Sequence, residues 1–371
     1  REATSLADLA GGEQATITAI HYLTFASRLE PGQTVLLNVT ALDLHLGTGG
    51  LAFVVPGSSY SDYTTHAART SHTGQTTNPI SQGHIMKLRY TPLQREVLAA
   101  EEPASPYHEL LREADSLDGL TVICCGLHSQ MPLVAAALKT FDPKARVVYC
   151  MTDEAALMAE FSDLVRQAED RGLIGTTITC GQALGGSLEA VNLHSGLLIA
   201  HLVCQADYVI TAIGPGVVGT GTAFGHGGIA QAEALNAVSA LQGTPIGVLR
   251  VSEADLRERH RGLSHHSCSV LGQACLIKAL LALPIDLDPV FFEHLDSELQ
   301  ATGISERHII MKLHSQYEQI DFRDLNVKSM GRSQAEDPAF FKVATAAGVL
   351  AYWYRHFVAG YPNATAPTPE R

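Results

Sequence analysis

Histidines near predicted strand ends are the side chains most able to perform chemistry in this sequence. The chain holds 17 histidines, and the adjacent pair His265 and His266 lies in a run rich in Arg and Ser, from Arg259 to Ser267. Such a pair can bind a metal ion or transfer protons near neutral pH. No H-E-x-x-H motif or paired Cys/His spacing completes a zinc signature. Metal ligation, acid–base work and a structural role therefore stay open for these histidines, and Arg261 joins them as a candidate ligand-binding residue.

A glycine-rich loop is the second candidate. The segment from Gly214 to Thr222 matches the letters of G-x-G-x-x-G at Gly214, Gly216 and Gly219. Glycine lets backbone N–H groups approach an anion without interference from Cβ atoms. Thr220 and Thr222 add hydroxyl groups to the loop, which predicts a phosphate or carboxylate site, with a tight turn as the alternative. On the first interpretation, Gly216→Val and Gly219→Val should reduce ligand binding more than stability.

Two further loops carry polar side chains that favour a structural role. His128 and Ser129 are sequence neighbours, but Ser129 lacks the flanking glycines of a nucleophile elbow, so helix capping is the favoured interpretation. Asp153 follows another predicted strand, where it either caps a helix or coordinates a metal ion or a ribose hydroxyl. Both loops remain candidate parts of a ligand site.

A predicted helix from Ser187 to Cys204 contributes the last candidates. Glu189, Asn192 and Gly196 recur in it at helical spacing, so a carboxylate and an amide would share one face. The rest of that helix is apolar almost all round. The polar stripe therefore faces solvent, a cavity or a partner.

The elements that must position these residues fall into two regions with different patterns. Residues 1–100 contain short apolar blocks separated by turn-rich segments, which predicts a small β-rich, barrel-like domain. A polar stretch at 58–82 predicts a long exposed loop, and the acidic, proline-containing segment 101–106 predicts the boundary. Residues 101–371 are predicted to form the second domain.

The second region alternates apolar strands with helical stretches, which is typical of a parallel Rossmann-like sheet. The predicted strands are Thr121–Cys125, Arg146–Met151, Thr176–Cys180, Tyr208–Ile213 and Pro245–Val251. The predicted helices are Glu154–Arg171, Ser187–Cys204, Leu271–Leu283, Pro289–Leu299 and Pro338–Val358. A proline-containing tail with a disordered pattern ends the chain.

Composition narrows the classes of partner. A net charge of −13 repels phosphate backbones and disfavours nucleic-acid binding. No apolar run reaches the roughly 20 residues that span a bilayer, and the first twelve residues lack the pattern of a signal peptide. Seven cysteines without a C-x-x-C pair indicate free thiols in a reducing cytoplasm. Cys125 and Cys180 precede glycines at strand ends, but buried packing is favoured over catalysis.

Several long strings in the chain resemble one known family. They include Gly83 to Gln94, Gly214 to Thr222, and the run from His260 to His266. Further matching strings are Leu46 to Gly50, Met151 to Asp153, Leu188 to Asn192, Met330 to Arg332 and Glu336 to Pro338. These strings are similar to the family catalogued as domain of unknown function 3866. The resemblance implies a bacterial origin and one shared architecture, and it carries no activity.

Two functional hypotheses follow from the strand-end loops. The first is an enzyme acting on a small anionic or phosphorylated metabolite, with the glycine loop holding the anion and His265, His266 or Asp153 supplying acid–base or divalent-metal chemistry. The second is a non-catalytic ligand sensor or assembly module, which would form homo-oligomers. Because parallel strands bring their carboxyl ends to one edge, one shared cleft is predicted. Its predicted lining is His128, Asp153, Glu189, Gly216, Thr220 and His266.

Overall fold

A computed structural model describes residues 2–8, 14–22, 28–44, 51–55, 83–322 and 325–358. The chain divides into two compact units, residues 1–106 and 107–371. Three predicted segments lie outside the described residues, namely the loop at 58–82, the string from Leu46 to Gly50 and the C-terminal tail. None of the described helices is long and apolar enough to span a bilayer.

The first unit contains two small sheets. A four-stranded sheet has the order β1–β2–β4–β3, in which β2 and β4 pair in parallel and the other neighbours are antiparallel. A separate antiparallel pair is formed by β5 and β6. The strands are Glu2–Asp8 (β1), Gln14–Ile20 (β2), Leu37–Asn38 (β3), Leu51–Val54 (β4), Ile85–Lys87 (β5) and Arg95–Val97 (β6). Short helices cover Thr40–Asp43 here and His108–Leu111 at the start of the second unit.

The second unit is built on a parallel sheet of eight strands, so the predicted α/β, Rossmann-like fold is confirmed. Its order is β10–β9–β8–β11–β7–β12–β15–β16. The strands are Thr121–Cys124 (β7), Val147–Thr152 (β8), Thr176–Cys180 (β9), Leu188–Ala190 (β10), Tyr208–Ile213 (β11), Thr244–Gly247 (β12), Leu280–Pro284 (β15) and Ile309–Leu313 (β16). The inner strands are almost entirely apolar because helices cover both of their faces.

Two pairs of helices flank this sheet. The helices Met131–Phe141 and Pro338–Trp353 pack against each other and share the main hydrophobic core with alternate residues of the sheet, among them Tyr149 and Ile210. The helices Leu193–Leu202 and Ala230–Ala240 pack against each other and against other strands. The remaining helices are Asp163–Asp170, His265–Ser269, Pro289–Ala301 and Ile304–Arg307. Strands Val251–Ser252 (β13) and Gly262–Leu263 (β14) form a small antiparallel pair beyond β12.

Three of the predicted helices are wrong in whole or in part. Residues 271–283 hold the end of a π-helical turn and then most of β15, because an apolar run without clear periodicity is consistent with either state and pairing with β12 and β16 selects the strand. The segment from Ser187 begins with β10, and its helix starts only after Asn192. The helix predicted from Glu154 starts at Asp163, where Ser162 caps it.

Candidate functional site

Four histidines and four arginines lie in two segments that follow the parallel strands β11 and β12. The chain leaves β11 through the segment Val217–His226 and leaves β12 through the segment Arg250–His266. β7 lies between these two strands. Because all three strands run in the same direction, the two segments emerge at one edge of the sheet and meet there.

The two segments enclose a cavity of about 170 Å³, which we call the arginine–histidine cavity. Its lining consists of Val217, Val218, Gly219, Gly221, Arg250, Arg257, Arg259, His260, His265, His266 and Met330. Three arginines face three histidines, and this described lining contains no carboxylate. The chain as a whole carries a charge of −13, so the cavity is a local region of opposite sign.

Four imidazole rings pack together beside the cavity; His226, His260, His265 and His266 form what we call the histidine cluster. The rings of His226 and His266 are stacked, with centroids 3.7 Å apart. The centroid of His265 lies 4.4 Å from that of His266 and 4.8 Å from that of His260. His226, His260 and His266 are almost fully buried. A cluster of this density holds several polar ring nitrogens in a small volume.

A single contact fixes the tautomer of His266. The Arg250 Nη1 atom lies 2.6 Å from His266 Nδ1, and a guanidinium group can only donate hydrogen bonds. His266 Nδ1 therefore accepts, and the neutral ring carries its hydrogen on Nε2. A Cβ atom placed at Gly219 would lie 3.4 Å from this Nε2, so the glycine leaves space beside the N–H group.

Other ring nitrogens in the cluster lack partners within the described part of the chain. His226 Nε2 donates to the Ala223 carbonyl at 3.2 Å, which leaves Nδ1 as an acceptor with no hydrogen bond. The buried His265 Nε2 atom also has none. His260 Nδ1 contacts Ser264 Oγ at 2.7 Å. Buried polar atoms are nearly always satisfied, so unpaired atoms beside a cavity indicate a place for an additional group.

Burial and neighbouring cations keep all four imidazoles neutral at neutral pH. Desolvation and then Arg250 lower the pKa of His266 to about 2 and that of His260 to about 3. Desolvation is also the main cause of the lowered pKa values of His226 and His265. Burial and the charge of Arg257 lower the pKa of Arg250 to about 10, so it remains a cation. The cavity thus presents fixed positive charge and neutral imidazoles.

A network of ion pairs holds the arginine side of the cavity in place. Arg257 binds Asp255 through two contacts of 2.9 and 2.8 Å. Arg332 bridges Asp255, at 3.1 Å, and the buried Asp337, at 3.0 Å. Hydrogen bonds from Arg257 hold the pKa of the Asp255 carboxyl well below its usual range. Asp255 therefore stays ionised and orients Arg257.

The same network anchors the turn that carries Met330. Ser329 and Arg332 exchange two backbone hydrogen bonds of 2.9 Å, and Met330 and Gly331 between them have φ values of 51° and 83°. A left-handed conformation at a non-glycine residue is strained and persists only where the surroundings enforce it. The turn places a half-exposed methionine at the wall of the cavity.

Comparison with known families bears directly on identity. The family model described as protein of unknown function DUF3866 matches residues 18–348, most of the chain. The chain belongs to the DUF3866 family. No curated protein and no solved structure matches it at a significant level. The family name assigns no activity, so the site of this DUF3866 protein must be interpreted from its own geometry.

Three of the residues predicted from sequence line the cavity of the DUF3866 chain, namely Gly219, His265 and His266. The other loop candidates lie nearby but outside the lining. Gly214 packs against the Ala156 carbonyl, and Gly216 faces open space. The hydroxyls of Thr220 and Thr222 close the turn at Gly225. Arg261 is exposed and does not line the cavity.

The remaining candidates make hydrogen bonds elsewhere in the sheet's loops. His128 contacts Ser162 Oγ at 2.6 Å and the Ile213 carbonyl at 3.1 Å. Asp153 accepts from the backbone of Gln182 at 2.7 Å. Ser129 lies in a short 3₁₀ turn. None of these three lines the cavity, and of the six residues predicted to share one cleft only His266 is in its lining.

The predicted helical stripe of Glu189, Asn192 and Gly196 is wrong. Glu189 lies in β10, where it accepts from Thr179 Oγ1 at 2.7 Å and from the Gly185 N–H at 2.8 Å. Asn192 is the N-cap of the following helix and accepts from the Ser195 N–H at 3.0 Å. Edge pairing with β9 extends the first residues of this segment into a strand, so they share no helical face.

Sequence reasoning did not propose Arg250, Arg257, Met330, His226 or His260 as site residues. Arg250 directly follows the apolar segment of β12, so its strand-end position was the available signal. The approach of Met330 to the cavity depends on Arg332 contacts with residues about 80 positions away, at Ser252 and Asp255. No local pattern indicates that contact.

Proposed function

We propose that the arginine–histidine cavity binds a small anionic metabolite, with a phosphorylated or carboxylated compound as the class of ligand. The observation that supports this is the lining of three arginines and three histidines without a carboxylate. Arginine donates up to five hydrogen bonds in a planar fork that matches phosphate and carboxylate oxygens. A bound anion would offset the positive charge that Arg250 and Arg259 bring to the cavity, since Arg257 is already paired with Asp255.

The volume of the cavity supports a small ligand. Pockets for drug-sized ligands measure roughly 300–1,000 Å³, whereas this cavity measures about 170 Å³. It therefore accommodates a small anion or the anionic end of a larger metabolite. The exposed side chains of Val218 and Met330 at its wall would contact an apolar portion of the same ligand.

We further propose an enzyme in which the cavity stabilises negative charge that develops on the substrate. A neutral His266 with its hydrogen on Nε2 is a preoriented donor, and Arg250 beside it is a buried cation. Donors fixed in a low-dielectric site stabilise a transition-state oxyanion more strongly than water does. Acyl or phosphoryl transfer is the reaction class that uses such an arrangement.

A ligand sensor is the second candidate, and one observation favours it. The described lining contains no Ser, Cys, Lys or carboxylate that would act as a nucleophile or general base. The lowered pKa values of His260 and His266 also place these rings far from the neutral range in which general bases are efficient. Anion binding without turnover is the expected behaviour of a sensor.

We also propose that the protein resides in the cytoplasm of a bacterium. All seven cysteines are free in the structure, which supports a reducing compartment. Burial raises the pKa of the Cys125 thiol well above its usual value, so this thiol stays protonated and serves packing. The bacterial origin is supported by the family resemblance alone.

The chain offers a matched pair of variants for the test. Arg259 and Arg261 are both exposed and lie two residues apart, but only Arg259 lines the cavity. We expect Arg259→Ala to weaken binding of inorganic phosphate about tenfold in isothermal titration calorimetry with EDTA present, because a hydrogen bond to a charged group contributes roughly 1.5–3 kcal/mol. Arg261→Ala should leave the affinity within about twofold. Equal affinities for the two variants, or no phosphate binding by the parent protein, would remove the anion proposal.

Turnover separates the enzyme from the sensor. A panel of phosphate monoesters and carboxylate esters, followed by mass spectrometry, should yield product with the parent protein and far less with His266→Gln. Retained phosphate binding without conversion of any compound would favour the sensor.

A further inference from the structure

We propose that His260, His265 and His266 form a binding site for a transition metal ion of the zinc class. Each residue offers one ring nitrogen, and the three nitrogens lie within 4.8 Å of one another. Two nitrogen ligands of a tetrahedral zinc ion are separated by roughly 3.3 Å, given Zn–N distances of about 2.0–2.1 Å. Small rotations of the three rings would close the remaining gap.

The hydrogen bonding of the histidine cluster leaves two ring nitrogens available as metal ligands. His265 Nε2 is buried and has no hydrogen bond within the described residues. His260 can donate from Nδ1 to Ser264 Oγ, which leaves its Nε2 lone pair available to a metal ion. A metal-bound histidine usually donates its other ring N–H to such an oxygen, which fixes its orientation.

The ligand set selects the kind of metal. Imidazole nitrogens suit Zn²⁺, Cu²⁺, Ni²⁺ and Co²⁺, whereas Mg²⁺ and Ca²⁺ prefer oxygen ligands. Three protein ligands leave at least one position open for water or a ligand atom, as in catalytic rather than structural zinc sites. The open position would face the same cavity that is lined by the arginines.

Arg250 opposes metal binding in a way that an anion would relieve. Its 2.6 Å contact with His266 Nδ1 keeps the hydrogen on Nε2, so this ring cannot bind a metal ion until the contact or the hydrogen is lost. Three nearby arginines also repel a dication. An anion in the cavity would draw the Arg250 guanidinium away and offset the repulsion. This coupling rests on the proposed anion site, whereas the three-histidine site does not.

The experiment uses metal-stripped full-length protein and Co²⁺ or Zn²⁺ as the probe. Visible absorption of bound Co²⁺ and calorimetry with Zn²⁺ should each give one ion per chain. His265→Ala and His260→Gln should weaken the affinity at least about tenfold, the range seen even for groups that only orient a ligand. His314→Ala is the matched control, because His314 is an exposed histidine outside the site, and its affinity should equal that of the parent protein.

Inorganic phosphate separates this proposal from the previous one. We expect inorganic phosphate in excess over the protein to tighten Co²⁺ binding. Arg250→Met should tighten Co²⁺ binding without phosphate and abolish the phosphate effect. Binding of less than one ion with phosphate present, or equal loss of affinity in His314→Ala, overturns the metal site. If phosphate binds in EDTA and no metal binds, only the metal site fails; if metal binds and phosphate does not, only the anion site and its coupling fail. Circular dichroism establishes that each variant is folded. If His265→Ala is not folded, His265→Gln replaces it.

Discussion

Two groups of polar side chains lie near the strand ends of the same sheet, and of the two only the histidine cluster has buried polar atoms without a hydrogen bond in the described residues. In the histidine cluster, His226 Nδ1 and His265 Nε2 are buried without a described hydrogen bond. In the loops after β7 and β8, His128 and Asp153 each bind neighbouring residues. Glu189 of β10 does the same.

A position at the end of a parallel strand is therefore not enough to identify a site. Both groups follow parallel strands, where ligands usually bind. The polar atoms of His128, Asp153 and Glu189 stabilise loops by pairing with the protein. Those of the histidine cluster face a cavity and cations, and their pairing is incomplete. Incomplete pairing beside a cavity is therefore the better criterion.

The largest effect is expected at the contact that orients His266. Arg250→Met should weaken inorganic phosphate binding about 100-fold, because a buried hydrogen bond from a charged donor contributes up to roughly 3 kcal/mol. Calorimetry on metal-stripped protein measures this. Asp153→Asn is the counterpart from the other group and should leave the affinity unchanged. Similar losses in both variants would erase the distinction between the two groups.

Acid should destabilise the protein through His128. This residue belongs, with Asp153 and Glu189, to the group whose polar atoms pair with the protein, which we call the structural group. Burial lowers the pKa of His128 to about 4, while the unfolded value is about 6.5. The unfolded state therefore binds the proton more tightly, and the stability contributed by the neutral ring falls as the pH drops from 6.5 towards 4. Lowering the pH from 7 to 5 should reduce the free energy of unfolding of the parent protein by about 2 kcal/mol more than that of His128→Asn. Urea denaturation at both pH values tests this, and parallel curves would contradict it.

Glu189 tests the structural group without involving pH. Glu189→Ala removes the acceptor of the Gly185 N–H and the Thr179 hydroxyl, so stability should fall by about 1.5 kcal/mol. Phosphate affinity should stay constant. A urea midpoint equal to that of the parent protein, or a weaker phosphate affinity, would show that Glu189 has been assigned to the wrong group.

The two glycines of the β11 loop give the smallest effect and the finest distinction. Gly216 has a φ of 94° and open space around its Cβ position, so Gly216→Ala should cost about 1 kcal/mol of stability through backbone strain. Its phosphate affinity should not change. Gly219→Ala should weaken phosphate binding instead, because the methyl group would lie beside His266 Nε2. Thermal melts with and without phosphate separate the two results.

Part of the site was predictable because local pattern and topology agree there. The continuous apolar runs of β7, β8, β9, β11 and β12 predicted the parallel sheet, and the sheet placed His265, His266 and Gly219 at its carboxyl edge. The predicted helical position of Glu189 was wrong because three residues at the sheet edge form a strand by pairing with β9. A helical period cannot report such a partner.

The amino-acid pattern alone predicted five buried strands of the parallel sheet, the loops that follow them, and the concentration of glycine, histidine and arginine in two of those loops. Which of these side chains meet depends on how the folded chain packs. Arg250 reaches His266 across 16 residues, and Arg332 reaches Asp255 across 77. Such contacts depend on the packing of distant segments, which is specified by the whole chain and leaves no periodic signal in any one part of it.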